Sequence, residues 1–235
     1  ISGGPNFAFE LCVRRIPPEE REGLDLSRWE VAFCGAEPIR ALTLEHFTQA
    51  FGPVGFRREA FYPCYGLAEA TLIVSGGAKE AKPEVRIADD AALERGFLEE
   101  PVASRKSRLV VGCGSSLPGQ RIVVVEPESL RVCVPGEVGE IWVSGPSVAQ
   151  GYWQRPYESQ SVFEARTAQG DGPFLRTGDL GFLDAGELYV TGRRKDLLIL
   201  RGRNLYPHDL EATVEGSHPA LRPGCGAAFS VEVEG

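Results

Sequence analysis

At 235 residues, 43% hydrophobic and 25% charged, the chain is long enough for one large or two modest domains with buried cores, and it is neither disordered nor fibrous in composition. A formal net charge of −8 argues against broad electrostatic capture of nucleic acid or of an anionic membrane surface. No apolar run approaches the roughly 20 residues that a membrane-spanning helix needs, so no membrane span is expected.

The stretch VAFC at 31–34 reads as a short buried strand, followed by the turn-like GAEP and by helical spacing of Ile39, Leu42, Phe47 and Phe51. EAFYPCYG adds a strand that ends in a glycine turn, and ATLIVSGG a further apolar run, so a layered sheet with helices is expected first. Residues 77–111 then carry 14 charges in 35 positions with weak periodicity, which reads as a surface excursion. From 112 to 191 come RIVVV, EIWVSG, LGFLD and ELYVTG, short strands separated by Gly and Pro that suggest a small antiparallel barrel or sandwich. GFLD-AG-ELYV predicts a hairpin turning at Ala185-Gly186, and LLIL-RG-RNLY a second one. Pro207 opens a predicted helix to about Glu215, with Asp209 and Glu211 near its positive end.

Six cysteines, Cys12, Cys34, Cys64, Cys113, Cys133 and Cys225, form no CxxC pair, and with the isolated His46, His208 and His218 they make no zinc pattern. Buried thiols in a reducing compartment are expected ahead of disulfides, and with no signal peptide at the first residues a cytoplasmic location is expected. The chain starts at ISGG without Met and stops in a strand-like FSVEVEG, so it is expected to be a piece of something longer.

Five glycine-punctuated polar motifs stand at strand ends: Gly35-Ala36-Glu37-Pro38, Tyr65-Gly66-Leu67-Ala68-Glu69, the long GEIWVSGPSVAQGYW from Gly139 to Trp153, Arg176-Thr177-Gly178-Asp179, and Gly192-Arg193-Arg194-Lys195-Asp196. An aromatic ring close to a carboxylate can stack on a base while the acid holds a hard cation beside phosphates. A carboxylate can accept hydrogen bonds from vicinal hydroxyls, and a guanidinium offers a fixed fork of donors to the same sugar or its phosphate. Asp179 and Arg193, fourteen positions apart on either side of the hairpin, are either an ordinary surface ion pair or two sides of a slot for something polar.

In order and separation, the five motifs together resemble the adenylate-forming superfamily of acyl-CoA synthetases, luciferases and peptide-synthetase adenylation domains. The resemblance implies ATP and Mg²⁺ as cofactors. Gly35, Ala36 and Glu37 would border the adenine, Tyr65 would lie against it, Gly66 would belong to the same cofactor-binding set, and Glu69 would be the catalytic residue, holding Mg²⁺. Asp179 would bind the ribose hydroxyls, Arg193 would support the ribose, and Lys195 with Asp196 would form the hinge. The implied fold is an α/β layered sheet-and-helix subdomain over 1–111, with the charged insertion at 77–111. A small antiparallel β-barrel-like subdomain over 112–192 follows, and then the hinge and start of a small α+β C-terminal domain over 193–235.

Within the superfamily, SGGPNFAFELCVRR and YGLAEATL are most similar to fatty acyl-AMP ligases, whereas general members more often have Thr at Ala68 and Asn at Pro63. That group hands the acyl adenylate to an acyl carrier protein or to a carrier domain of a polyketide or peptide synthase. Its extra segment falls where residues 77–111 lie, and is expected to restrain the small domain against thioester formation with free coenzyme A. A Ser/Thr/Gly-rich phosphate loop would precede residue 1 and a catalytic lysine would follow Gly235, so this piece alone is expected not to turn over. A coenzyme A ligase of the same fold and a non-catalytic adenylate-binding domain are the alternatives. Phe7, Phe9, Leu11, Phe61 and Ile73 are either core or acyl-tunnel residues.

Overall fold

The computed structural model describes residues 1–200, 203–222 and 224–231. The chain runs β1 (Ser2–Gly4), α1 (Asn6–Arg15), α2 (Pro18–Arg21), β2 (Ala32–Cys34), α3 (Ala41–Phe51), β3 (Phe61–Leu67) and β4 (Leu72–Gly76), then β5 (Val85–Asp89), α4 (Asp90–Glu94), β6 (Ser107–Val111) and β7 (Ser115–Ser116). It continues through β8 (Arg121–Val125), β9 (Gly139–Ser144), α5 (Pro156–Phe163), β10 (Leu175–Asp184), β11 (Glu187–Arg193), β12 (Leu198–Leu200), β13 (Arg203–Leu205) and α6 (Pro207–Glu215).

Strands β1, β2, β3, β4 and β7 lie side by side in that order, the first three parallel and the last two joined antiparallel. In β2, Ala32 and Cys34 face the core while Phe33 is 41% exposed on the opposite side, the two-residue alternation of a strand with one covered face. Helix α3 buries Leu44, Phe47 and Phe51. Leu42, expected on that stripe, is 64% exposed, because the helix starts only at Ala41 and its apolar seam follows the period from Leu44. Phe47 sits at the centre of an aromatic cluster with Phe9, Phe51, Phe56 and Phe61, ring centroids 4.5–5.9 Å apart.

The β-rich region forms one antiparallel sheet in the order β11-β10-β9-β8. It is open: four strands are too few to curl into a closed ring, so β8 and β11 remain its edges. Ala185 and Gly186 turn the β10–β11 hairpin with φ of 49° and 83°, the doubly left-handed turn that matches strand twist. Gly112–Gly114 couples the two sheets: Ser75 Oγ donates to Cys113 O at 2.8 Å, and Cys113 N donates to Leu188 O at 2.7 Å. One hydrophobic core therefore runs from Phe9 to Ile141 and Leu188.

Residues 77–111, expected as an excursion, contain the β5–β6 hairpin and α4, capped where Ala92 N donates to Asp89 Oδ1 at 2.9 Å. Ala88 and Leu93 pack on the stacked rings of Phe182 and Tyr189, 4.8 Å apart. Most of the charges that hid this pattern are exposed, but Asp89 and Glu94 are buried. Helix α6 occupies the predicted span, and the Arg201-Gly202 turn of the second hairpin lies outside the described residues. All six cysteines are free thiols, and no helix among the described residues is long and apolar enough to cross a membrane.

Candidate functional site

Folding of the β10–β11 hairpin turns the fourteen-residue separation of Asp179 and Arg193 into direct cross-strand pairing. Arg193 Nε donates to Asp179 Oδ1 at 3.1 Å, with the acid side chain 11% and the base 57% exposed. The other oxygen, Oδ2, accepts from the Tyr65 hydroxyl at 2.8 Å, a contact between the two sheets. Burial pushes the Asp179 carboxyl above its ordinary range, partly offset by Tyr65 and Arg193 and reinforced by the nearby negative Glu69. Burial, then Asp179, drives the Tyr65 hydroxyl well up, so it stays a donor.

The turn before Asp179 is fixed from β9. Glu140, buried, accepts from Arg176 Nη2 at 2.6 Å and Nε at 3.1 Å, and from Gly178 N at 3.2 Å. Gly178 has φ of 72°, a conformation glycine adopts without steric cost. Thr177 Oγ1 donates to Ile141 O at 2.7 Å and accepts from Asp179 N at 3.0 Å. The guanidinium of Arg176 also covers the Trp142 ring at 5.2 Å.

Glu69 sits in the turn between β3 and β4, where a Cβ on Gly66 would come within 1.6 Å of Leu72 O, so glycine is required. Its Oε1 accepts from the Tyr152 hydroxyl at 2.9 Å. The loop after β9 thus touches Glu69, while β9 itself holds the turn of Asp179.

These groups face one cavity of about 980 Å³ lined by Ala36, Glu37, Tyr65, Gly66, Glu69, Asp179, Arg193, Lys195 and Asp196 among others, at the upper end of the usual size for small-molecule sites. Gly35 stands behind the wall, where a Cβ would meet Cys64 O at 2.6 Å. The strand end that carries Ala36 and Glu37 is tied down by buried Asn6, whose Nδ2 donates to Pro38 O and whose Oδ1 accepts from Arg40 N, each at 2.9 Å. Lys195 and Asp196 occupy a 3-10 turn directly after β11. Phe9 and Phe61 are core, whereas Phe7, Leu11 and Ile73 are 63%, 43% and 39% exposed. Sequence reasoning assigned no role to Glu140, Tyr152, Arg176 or Thr177, although all four lie inside the five motifs; a buried-type acid on an apolar strand was the signal available for Glu140.

The family model described as AMP-binding enzyme matches residues 4–153. The chain belongs to the AMP-binding enzyme family. Within this family it is 52% identical over 238 residues to the medium-chain-fatty-acid–[acyl-carrier-protein] ligase JamA of Moorena producens, covering 100% of this chain and 40% of that protein. It is 40% identical to the putative fatty-acid–CoA ligase fadD21 of Mycobacterium leprae, again over 100% of this chain and 40% of the relative. Among solved structures, the fatty acyl-adenylate ligase from L. pneumophila in complex with acyl adenylate and pyrophosphate superposes with a TM-score of 0.79 at 46% identity, covering 92% of this chain and 38% of that one. The chain spans about 40% of the length of the curated relatives it matches, and its fold is that of the adenylate-forming enzymes.

Proposed function

We propose that this chain supplies the nucleotide-binding wall of a ligase that activates a fatty acid as acyl-AMP with release of pyrophosphate. The acyl group is then passed to the phosphopantetheine thiol of an acyl carrier protein, free or as a domain of a polyketide or peptide synthase. The observation that carries this reading is the shared cavity, in which Tyr65, Glu69, Asp179 and Arg193 meet from two sheets.

A carboxylate has about four lone-pair sites. Asp179 gives one to Arg193 and one to Tyr65, which leaves capacity for two vicinal ribose hydroxyls. Arg193, more than half exposed, has donors remaining for the same sugar. Tyr65, Gly66, Ala36 and Glu37 then border the base. Lys195 and Asp196 serve as the hinge to the small domain, with the large-domain subdomains at 1–111 and 112–192.

Among the described residues no three acids, cysteines or histidines cluster as a metal cage, which suits Mg²⁺, an ion that keeps waters and phosphate oxygens and takes one or two protein carboxylates. Glu69 fits as that ligand, with one oxygen bonded to Tyr152 and the other accepting no hydrogen bond among the described residues. When bound, the ion neutralises charge that builds on the phosphates during displacement. The protein's own part is positional: two anions that repel each other must be held in line, which converts an unfavourable encounter into a fixed geometry.

The insertion supports transfer to a carrier. Glu94 accepts from Arg203 Nε at 2.7 Å and Nη2 at 2.8 Å, and Arg108 pairs with Asp90 on its own hairpin and with Asp209 on α6. The insertion thus grips the segment after the hinge. Six free thiols suit a reducing, cytoplasmic setting. A second reading, coenzyme A ligation, is favoured by the likeness to a relative named as a fatty-acid–CoA ligase. The deciding experiment gives the intact protein ATP, fatty acid, and either holo carrier protein or free coenzyme A. Fatty-acid-dependent pyrophosphate exchange with acyl-carrier product is expected; accumulation of acyl-CoA selects the second reading, and no exchange rejects both.

A further inference from the structure

The proposed reaction gives Glu69 a task and Tyr152 none; a role for Tyr152 exerted through Glu69 rests on Glu69 being the cation ligand. The Tyr152 hydroxyl makes the one hydrogen bond that the Glu69 carboxylate accepts among the described residues, 2.9 Å to Oε1. Its ring is anchored edge-on to Phe163 at 5.1 Å, and its backbone N donates to Ser159 Oγ at 2.8 Å, so α5 holds it in place. The same loop grips the backbone around Glu69. Ala149 N donates to Glu69 O at 2.8 Å, Ser147 Oγ donates to Ala70 O at 2.8 Å, and Thr71 Oγ1 donates to Ser147 O at 2.6 Å.

That grip holds a conformation the chain would otherwise avoid. Thr71 and Leu72 have φ of 56° and 75°, left-handed values that cost a β-branched or bulky residue energy and persist only where surroundings over-determine them. A simple strap between loop and turn would need the backbone contacts alone.

We propose that Tyr152 is the positioning residue of the Glu69 carboxylate: its O–H engages Oε1 and so leaves Oε2 as the oxygen offered to a divalent cation. Outer groups that orient a ligating carboxylate typically change metal affinity by about 10–100-fold. Tyr152→Phe removes one oxygen and keeps the ring against Phe163.

In the intact protein with a non-hydrolysable ATP analogue, Tyr152→Phe is expected to raise the Mn²⁺ dissociation constant, read by electron paramagnetic resonance, by about tenfold. Analogue affinity in EDTA should stay within about twofold, and saturating Mg²⁺ should restore most of kcat in pyrophosphate exchange. An unchanged Mn²⁺ constant overturns the proposal, and so does an equal loss of analogue affinity in EDTA, which marks a structural strap. Glu69→Gln separates the two levels. If Mn²⁺ binding survives it, the reading of Glu69 fails; if Glu69→Gln abolishes binding and Tyr152→Phe leaves it untouched, only this proposal fails. Should Tyr152→Phe lower the melting temperature, the double variant decides: no loss beyond Glu69→Gln is expected, and an additive loss counts against the role.

Discussion

The Asp179–Arg193 pair and the Glu94–Arg203 pair look alike on paper, each a buried acid with a largely exposed arginine, yet the two places are built for opposite purposes. Glu94 takes two donors of one guanidinium in the bidentate geometry that carboxylate and arginine prefer. Asp179 takes a single donor from Arg193 and one from Tyr65, so its remaining lone pairs open on the cavity. Their protonation differs in the same sense: burial raises the Asp179 carboxyl, whereas the hydrogen bond from Arg203 lowers that of Glu94. A saturated ion pair clasps one segment to another; an unsaturated one keeps acceptor capacity for a ligand.

The largest expected effect lies at the second acid of the cavity, Glu69. Glu69→Gln in the intact protein should slow pyrophosphate exchange by two powers of ten or more, about 3 kcal/mol of transition-state stabilisation. An undiminished exchange rate removes Glu69 from the chemistry and leaves the cavity a binding site only.

Next, Asp179→Ala should weaken ATP binding by about 2 kcal/mol, roughly 30-fold, because it deletes the ribose acceptor and orphans Tyr65 and Arg193. Glu94→Ala should leave ATP affinity unchanged. Equal losses by titration calorimetry for the two variants would erase the distinction between clasp and receptor.

Acid titration sharpens the contrast. Because its folded pKa is raised, Asp179 contributes stability that is fully present below the unfolded value and is lost as pH rises through the folded one. Glu94, with a lowered folded pKa, contributes stability that is present above the unfolded value and is lost as pH falls through the folded one. On acidification from neutral pH, ATP affinity should therefore fall before the ordinary carboxylate range is reached, while Glu94 holds Arg203 of β13 to a lower pH. Hydrogen exchange of residues 85–111 against nucleotide affinity checks the order; simultaneous loss contradicts it.

Lys195→Pro should depress the adenylation and transfer half-reactions unequally, since a hinge must rotate its backbone and proline fixes φ. Equal factors would move the hinge elsewhere. The smallest effect belongs to Glu94→Gln, expected to raise acyl-CoA formation relative to carrier acylation by about two- to threefold by loosening a pair whose arginine is largely exposed. An unchanged product ratio detaches the insertion from that choice.

Much of the site was legible because its parts are short and local. Ala185-Gly186 announces its hairpin through turn chemistry alone, and hairpin register then sets Asp179 opposite Arg193. Pro207 marks the start of α6 for an equally local reason, a missing N–H where the helix needs none. Residues 77–111 were harder: Ile87 and Leu109, directly paired across β5–β6, point outward at 54% and 48% exposure, so the strand alternation carries no clear inner face.

From sequence alone came the five motifs, their order, the elements that bear them and the superfamily they resemble, since turn residues and apolar periods act over a few positions. Only the tertiary structure decided that Tyr65 bonds Asp179 across 114 positions, that Tyr152 reaches Glu69 across 83, and that Arg203 closes on Glu94 across 109. Those contacts join separate sheets and segments, and hydrogen bonds at such separations depend on how whole layers pack, which no local pattern encodes.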